Sequence, residues 1–212
     1  MTIEISNHQF TLLYEKALYK PDERLLVVAD VHLGKANHFR KEGISIPAEA
    51  QYADYKNLET LFRKTDPLKV YFLGDLFHSS INRDWHYFTE LIGKFPQISI
   101  TLVQGNHDII DHKLFKSLHI SVTPSIEDDE FIYTHEPLKK QHPIKTNIAG
   151  HIHPGYVLSA GARQSLKLPC FYKTENMLIL PAFGVLTGLY SMPRGEAQVI
   201  YVALPDKVML VK

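Results

Sequence analysis

Apolar residues along the chain gather into short runs, and each run stops at a polar block. Leu25-Leu26-Val27-Val28-Ala29 stops at Asp30-Val31-His32, Val70-Tyr71-Phe72-Leu73 at Gly74-Asp75, and the run over residues 98–103 at Gln104-Gly105-Asn106-His107-Asp108. Phe131-Ile132-Tyr133-Thr134 stops at His135, and Asn147-Ile148-Ala149 at Gly150-His151-Ile152-His153. Short runs rich in β-branched and aromatic residues, bounded by turn formers, predict buried strands. Helical spacing lies between them. Pro47 opens a helix with Tyr52, Tyr55, Leu58, Leu61 and Phe62 on one face, and a second helix over residues 84–92 carries Trp85, Phe88, Leu91 and Ile92. Asp111 is placed to cap a short third helix over residues 112–118. Residues 10–14 and 17–19 predict a hairpin, and residues 35–43 read only as a polar, basic segment. From Tyr156 onward the pattern predicts strands without helices, over residues 156–159, 166–172, 177–180, 198–203 and 208–211.

Composition narrows this picture. A chain of 212 residues with 45% hydrophobic content can bury a full core as one domain, residues 1–212. Lys plus Arg and Asp plus Glu both number 23, so no net charge draws the protein to a polyanion, and a local patch or bound metal must do so. The N-terminal residues lack the pattern of a signal peptide and no stretch is long and apolar enough for a membrane span, which predicts a soluble, cytoplasmic protein. Cys170 is the sole cysteine, which excludes an internal disulfide, a thiolate cluster and a dithiol redox pair; between Pro169 and Phe171 it reads as a small buried hydrophobe.

The chemistry then concentrates at the five strand ends. A single Gly-Asn-His-Asp turn could simply bond its own backbone. Five apolar strands ending in ligand-type residues are a different matter, because side chains beyond the carboxyl ends of an α/β sheet converge on one crevice. Asp30 and His32 stand two residues apart and point the same way if extended geometry persists. Carboxylate, imidazole and amide donors suit divalent Mn, Fe, Co or Zn, and their number exceeds the needs of one ion. A pair of ions about 3.5 to 4 Å apart, sharing one carboxylate, suits displacement at phosphorus.

The order Asp-x-His, Gly-Asp, Gly-Asn-His-Asp, His, Gly-His-x-His resembles the calcineurin-like metallophosphoesterase family. That resemblance implies an α/β four-layer sandwich, two packed mixed β-sheets flanked by helices. It further implies that Asp30, His32, Asp75 and His153 bind one metal and Asp75, Asn106, His135 and His151 the other, with Asp75 as the bridge. His107 would stabilise developing charge or protonate the departing oxygen, and Asp108 would orient His107. Many family members carry Asp-Arg or Asn-Arg two residues after Gly-Asp, whereas His78-Ser79 stands here, so His78, Arg83 or an outside residue replaces that arginine. The segments 28–35, 39–47, 74–79 and 181–188 are similar to the ligase-associated DNA damage response endonuclease branch. That branch implies a manganese-dependent phosphodiesterase linked to DNA repair, with repair ligase or helicase partners.

Lys35, Arg40 and Lys41 follow the first metal block within ten residues and are the candidates to meet a phosphate chain, with His78. His8, His38, His86, His112, His119 and His142 fit no ligand spacing and read as surface or structural residues. The leading reading is a two-metal phosphodiesterase acting on nucleic acid or a nucleotide. Its rivals are a small-molecule phosphatase or cyclic-nucleotide phosphodiesterase of the same fold, and a non-catalytic protein-binding scaffold, which would have no use for His107.

Overall fold

The structure is a computed structural model that describes residues 1–78, 83–160, 164–193 and 195–212. The chain opens with β1 (Thr2–Ile5), β2 (His8–Leu13), β3 (Ala17–Lys20) and β4 (Leu25–Val28), followed by α1 (Lys35–Lys41) and α2 (Ala48–Thr65). Then come β5 (Lys69–Leu73), α3 (Arg83–Gly93), β6 (Ser99–Val103), α4 (His112–Ser117) and β7 (Ser121–Thr123). The second half is β8 (Ile126–Glu127), β9 (Phe131–Thr134), β10 (Thr146–Ala149), β11 (Pro154–Ala160), β12 (Gln164–Lys173), β13 (Met177–Ile179), β14 (Tyr190–Ser191), β15 (Val199–Ala203) and β16 (Val208–Leu210).

Strands β1 to β7 form one sheet in sequence order, antiparallel as far as β4 and parallel from β4 to β7. The second sheet runs β14-β11-β12-β13-β10-β9-β8, with β15 and β16 branching from β12. Its centre, β9-β10-β13, is parallel. Alternation within single strands shows how the layers stack. Leu26 and Val28 of β4 pack with Tyr55, Leu58, Leu61 and Phe62 of α2 and Phe88 of α3, while Leu25 and Val27 pack with Phe131, Tyr133, Ile148 and Phe171 of the other sheet. A strand covered on both faces needs apolar residues at every position, which is why β4 reads as an unbroken apolar run.

The two packed mixed sheets with their few helices agree with the expectation. Among the described residues the helical side chains pack only on the first sheet, and the outer face of the second is covered by a smaller cluster around Cys170, Tyr172, Ala197, Ile200 and Val202. Cys170 is fully buried there, and burial pushes its thiol up to about 12, so it acts as the inert hydrophobe expected.

The predicted elements form with small shifts. Pro47 is the residue before α2 rather than its first turn, and Asp66 closes that helix in the left-handed region at φ 43°. Tyr52 on α2 is exposed and meets Tyr87 through a hydroxyl contact of 3.2 Å. Asp111 caps α4 by accepting the Lys113 N–H at 2.9 Å. The basic segment is itself a helix, α1, in which only Ala36 is buried, so no apolar period announces it.

Phe88 ties α3 to the sheet, fully buried with its ring 5.3 Å from Phe77 and 6.3 Å from Phe72. Phe88→Ala leaves a cavity beneath the site and is expected to cost about 3–5 kcal/mol, read as a shift in urea midpoint at unchanged slope.

Candidate metal centre

The chain ends of β4 and β5 stay bonded to each other beyond the sheet. The N–H of Asp30 donates to Gly74 O (3.3 Å), His32 N–H to Asp75 O (2.8 Å), Leu33 N–H to Leu76 O (2.8 Å), and His78 N–H returns to Leu33 O (2.9 Å). Extended geometry does not persist through this stretch, contrary to the simple reading of Asp30-Val31-His32. Asp30 and His32 sit at φ 53° and 51°, Asp75 at 49°, and His151 and His153 at 68° and 54°. Five of the seven predicted ligands thus occupy the left-handed region, at roughly 1–2 kcal/mol each. The bonds between loops hold them there. The carboxylate of Asp30 also accepts the His151 N–H at 2.8 Å, and the His153 carbonyl accepts the Tyr190 N–H at 2.9 Å.

Gly105 serves proximity rather than a turn. A Cβ there would lie 2.4 Å from both the backbone nitrogen and a carboxylate oxygen of Asp75, so only glycine lets the β6 end lie against the β5 end. Through that approach the His107 N–H reaches Asp75 Oδ1 at 2.9 Å.

Six of the predicted ligands form two groups, Asp30 with His32 and His153, and Asp75 with His135 and His151, each compact enough to hold a metal ion. Asp75 joins them. Its Oδ2 lies 3.7 Å from His32 Nε2 in the first group, and its Oδ1 lies 3.6 Å from His135 Nε2 in the second. Asn106 completes the second group with Oδ1 2.9 Å from His135 Nε2.

The donors fit divalent ions. Asp30 Oδ1, His32 Nε2 and His153 Nε2 are buried and have no hydrogen-bond partner among the described residues, a costly state for three polar atoms that a shared cation relieves. In the second group, His135 Nδ1 lies 2.9 Å from the Leu73 carbonyl and must donate to it. With Nδ1 so used, His135 turns its Nε2 toward Asn106 Oδ1 at 2.9 Å and toward His151 Nδ1 at 3.0 Å. Burial, with Lys35 and three neighbouring imidazoles acting the same way, lowers His32 to about 2 and keeps it in the neutral form that binds metal.

His107 stands at the rim, exposed, with its ring 5.6 Å from that of His32 and stacked on His78 at 5.5 Å. His78 is half-buried, 5.6 Å from His32, and burial lowers it to about 4. Beyond it lies His38, exposed as its surface-or-structural reading expects, with its ring 4.6 Å from that of His78. The signal for His38 was its place one turn after Lys35, visible only if α1 is recognised as a helix. Ser79, the other residue of the altered motif, lies outside the described residues.

Two expectations need correction. Asp108 does not orient His107: Oδ1 accepts the N–H groups of Leu76 (2.9 Å) and Phe77 (3.4 Å), and Oδ2 that of Gly105 (2.9 Å). Its carboxylate staples the β5 and β6 ends together, and burial raises its pKa. Arg40 is not free to meet phosphate. Its guanidinium donates to the carbonyls of Ile46 (3.1 and 3.2 Å) and Pro47 (3.0 Å) and to Asn37 Oδ1 (3.2 Å), bracing α1 against the following loop. Lys35 is half-buried within the fields of Asp75 and Asp30, and burial lowers its pKa. Exposed Lys41 and Arg83 line, with Asn37 and Arg40, an open cleft of about 400 Å³ beside α1.

This site belongs to a phosphoesterase. The model of the calcineurin-like phosphoesterase family matches residues 23–162, more than half of the chain, and the chain belongs to that family; it is a metal-dependent phosphoesterase. Among solved structures it is similar to the Pseudomonas putida nuclease MPE, with 29% identity and a TM-score of 0.80 over 100% of this chain and 99% of that one. A search of curated proteins finds no match.

Asp75→Asn removes the charge shared by both groups. Manganese titration is expected to show both ions weakened, whereas a loss confined to one ion would contradict the bridge.

Proposed function

We propose that this protein is a two-metal phosphodiesterase that cleaves nucleic acid, with Asp30, His32 and His153 as ligands of one ion, Asn106, His135 and His151 as ligands of the other, and Asp75 shared. The observation that carries the reading is the Asp75 carboxylate, with one oxygen turned to each buried group. Two divalent ions bound there supply Lewis acidity, activating water and drawing charge from the phosphoryl oxygens. Oxygen and nitrogen donors without thiolate, together with the resemblance to the repair endonuclease branch, support manganese and a role in DNA repair. The nuclease similar in structure supports nucleic acid as substrate.

The chain's own groups divide the remaining work. His107, fixed by its backbone bond to Asp75 and exposed at the rim, hands a proton to the departing oxygen. Lys35 takes the place of the absent arginine, its ammonium offsetting the charge of the phosphoryl group beside Asp75 and Asp30. Lys41 and Arg83 hold a neighbouring phosphate in the cleft beside α1. A second phosphate contact distinguishes a strand from a mononucleotide.

The test is a panel of oligonucleotides, cyclic nucleotides and phosphomonoesters offered to manganese-loaded protein. Cleavage of oligonucleotides is expected, and hydrolysis confined to monoesters would overturn the reading. His107→Ala should retain two ions and lose ~10²- to 10⁴-fold in turnover of esters with alkoxide leaving groups, but far less with nitrophenolate, which leaves without a proton. The Lys41→Ala, Arg83→Ala double variant should turn over a small diester normally. It should also bind duplex oligonucleotide more weakly, with the log–log salt slope flattened by roughly 1–2 units.

A further inference from the structure

The loop Pro181-Ala182-Phe183-Gly184-Val185 runs behind the first metal group and is gripped from both sides. Toward the site, the Phe183 N–H donates to Ala29 O (2.9 Å) and the Gly184 N–H to Asp30 O (3.1 Å). The approach is close, since a Cβ on Gly184 would fall 2.5 Å from the Val31 carbonyl. On the far side two charged residues from distant parts of the chain hold the same loop. The Lys16 ammonium, from the β2–β3 turn, donates to the carbonyls of Phe183 and Gly184, and Asp54 Oδ1, from α2, accepts the Val185 N–H at 2.9 Å.

Lys16 and Asp54 are not rim charges. Asp54 is only 8% exposed, and burial pushes it up to about 6 while pulling Lys16 down to about 8, so desolvation taxes both. Neither touches the metal groups. What they share is the strap, whose opposite bonds go to the backbone of Ala29 and of Asp30, the latter held at φ 53°.

We infer that Lys16 and Asp54 are positioning residues that clamp the strap 183–185 and through it hold Asp30 in ligand geometry; this rests on Asp30 being a ligand of the first ion. The route is short. Releasing the clamp frees the Gly184 N–H, and Asp30 then relaxes from the left-handed region toward the extended backbone that its sequence prefers. The second group has its own anchors, the Leu73 carbonyl on His135 and the Asn106 and Asp75 side chains, and meets Asp30 through the His151 N–H, which the Asp30 carboxylate accepts at 2.8 Å.

The test is calorimetric titration of manganese into metal-free full-length protein, wild type against Lys16→Met and Asp54→Ala, with circular dichroism confirming the folded state. One of the two ions is expected to weaken by about 10- to 100-fold, as for other groups that orient a metal ligand from behind, and the second by clearly less, since Asp30 reaches that group through the His151 N–H and not as a ligand. Lys16→Arg and Asp54→Asn keep a donor and an acceptor in place and should restore wild-type affinity, an outcome that loosened packing would not produce. These two variants also carry the test should either truncation fail to fold. Unchanged affinity for both ions, or equal weakening of both, would overturn the inference. Wild-type protein binding fewer than two ions overturns the metal-pair reading and this inference with it, whereas two-ion binding that survives both truncations overturns this inference alone.

Discussion

The carboxylate of Asp75 is the point on which the structure turns. It lies just past β5, the strand paired on both edges, by β4 and β6, in the parallel half of the first sheet. One oxygen faces His32, the other His135, and the latter also accepts the His107 N–H. A charge in that position, with Asp30 fully buried beside it, is stable only in a site arranged for cations. Each carboxylate keeps one backbone hydrogen bond, and beside them Asp30 Oδ1, His32 Nε2 and His153 Nε2 are buried with no hydrogen-bond partner among the described residues. The protein thus pre-forms the metal site at its own expense, so that bound ions return stability to the fold as well as chemistry to the site.

Holding such a site open requires rigid surroundings, and the packing supplies them. The β4 and β5 ends are laced by backbone bonds, Asp108 staples the β5 and β6 ends, and the helices on the outer face cover Phe72 and Phe77 beneath. Asp108 and Arg40 show the same principle at work. Both carry the charge expected of site residues, yet each is spent on backbone groups that the loops leave exposed, because an irregular chain buried near a metal centre has many N–H and C=O groups to satisfy.

Family membership agrees with this geometry, and the departure from the family's arginine is coherent with it. A row of imidazoles in ring-to-ring contact leads from buried His32 through His78 to exposed His107 and His38. Lys35 adds a cation as the first residue of α1, directly after Gly34 at φ 86°.

Much of this was legible in the chain itself. Buried parallel strands have no polar face, so Leu25 to Ala29 and Val70 to Leu73 announced themselves, and the ligand-type residues had to lie where those runs end. Asp30, His32, Asp75, Asn106, His135, His151 and His153 were all named from that rule and from the resemblance, and the structure brings them together. Local sequence was silent where the cause is not local. The seven-residue α1 buries one side chain and so shows no period; the left-handed backbone at five ligands comes from bonds between loops far apart in sequence; and the roles of Asp108, Arg40 and His38 depend on which distant backbone or ring each one meets. Residue type states what chemistry a side chain can do. Only tertiary packing decides which partner it is close enough to do it with.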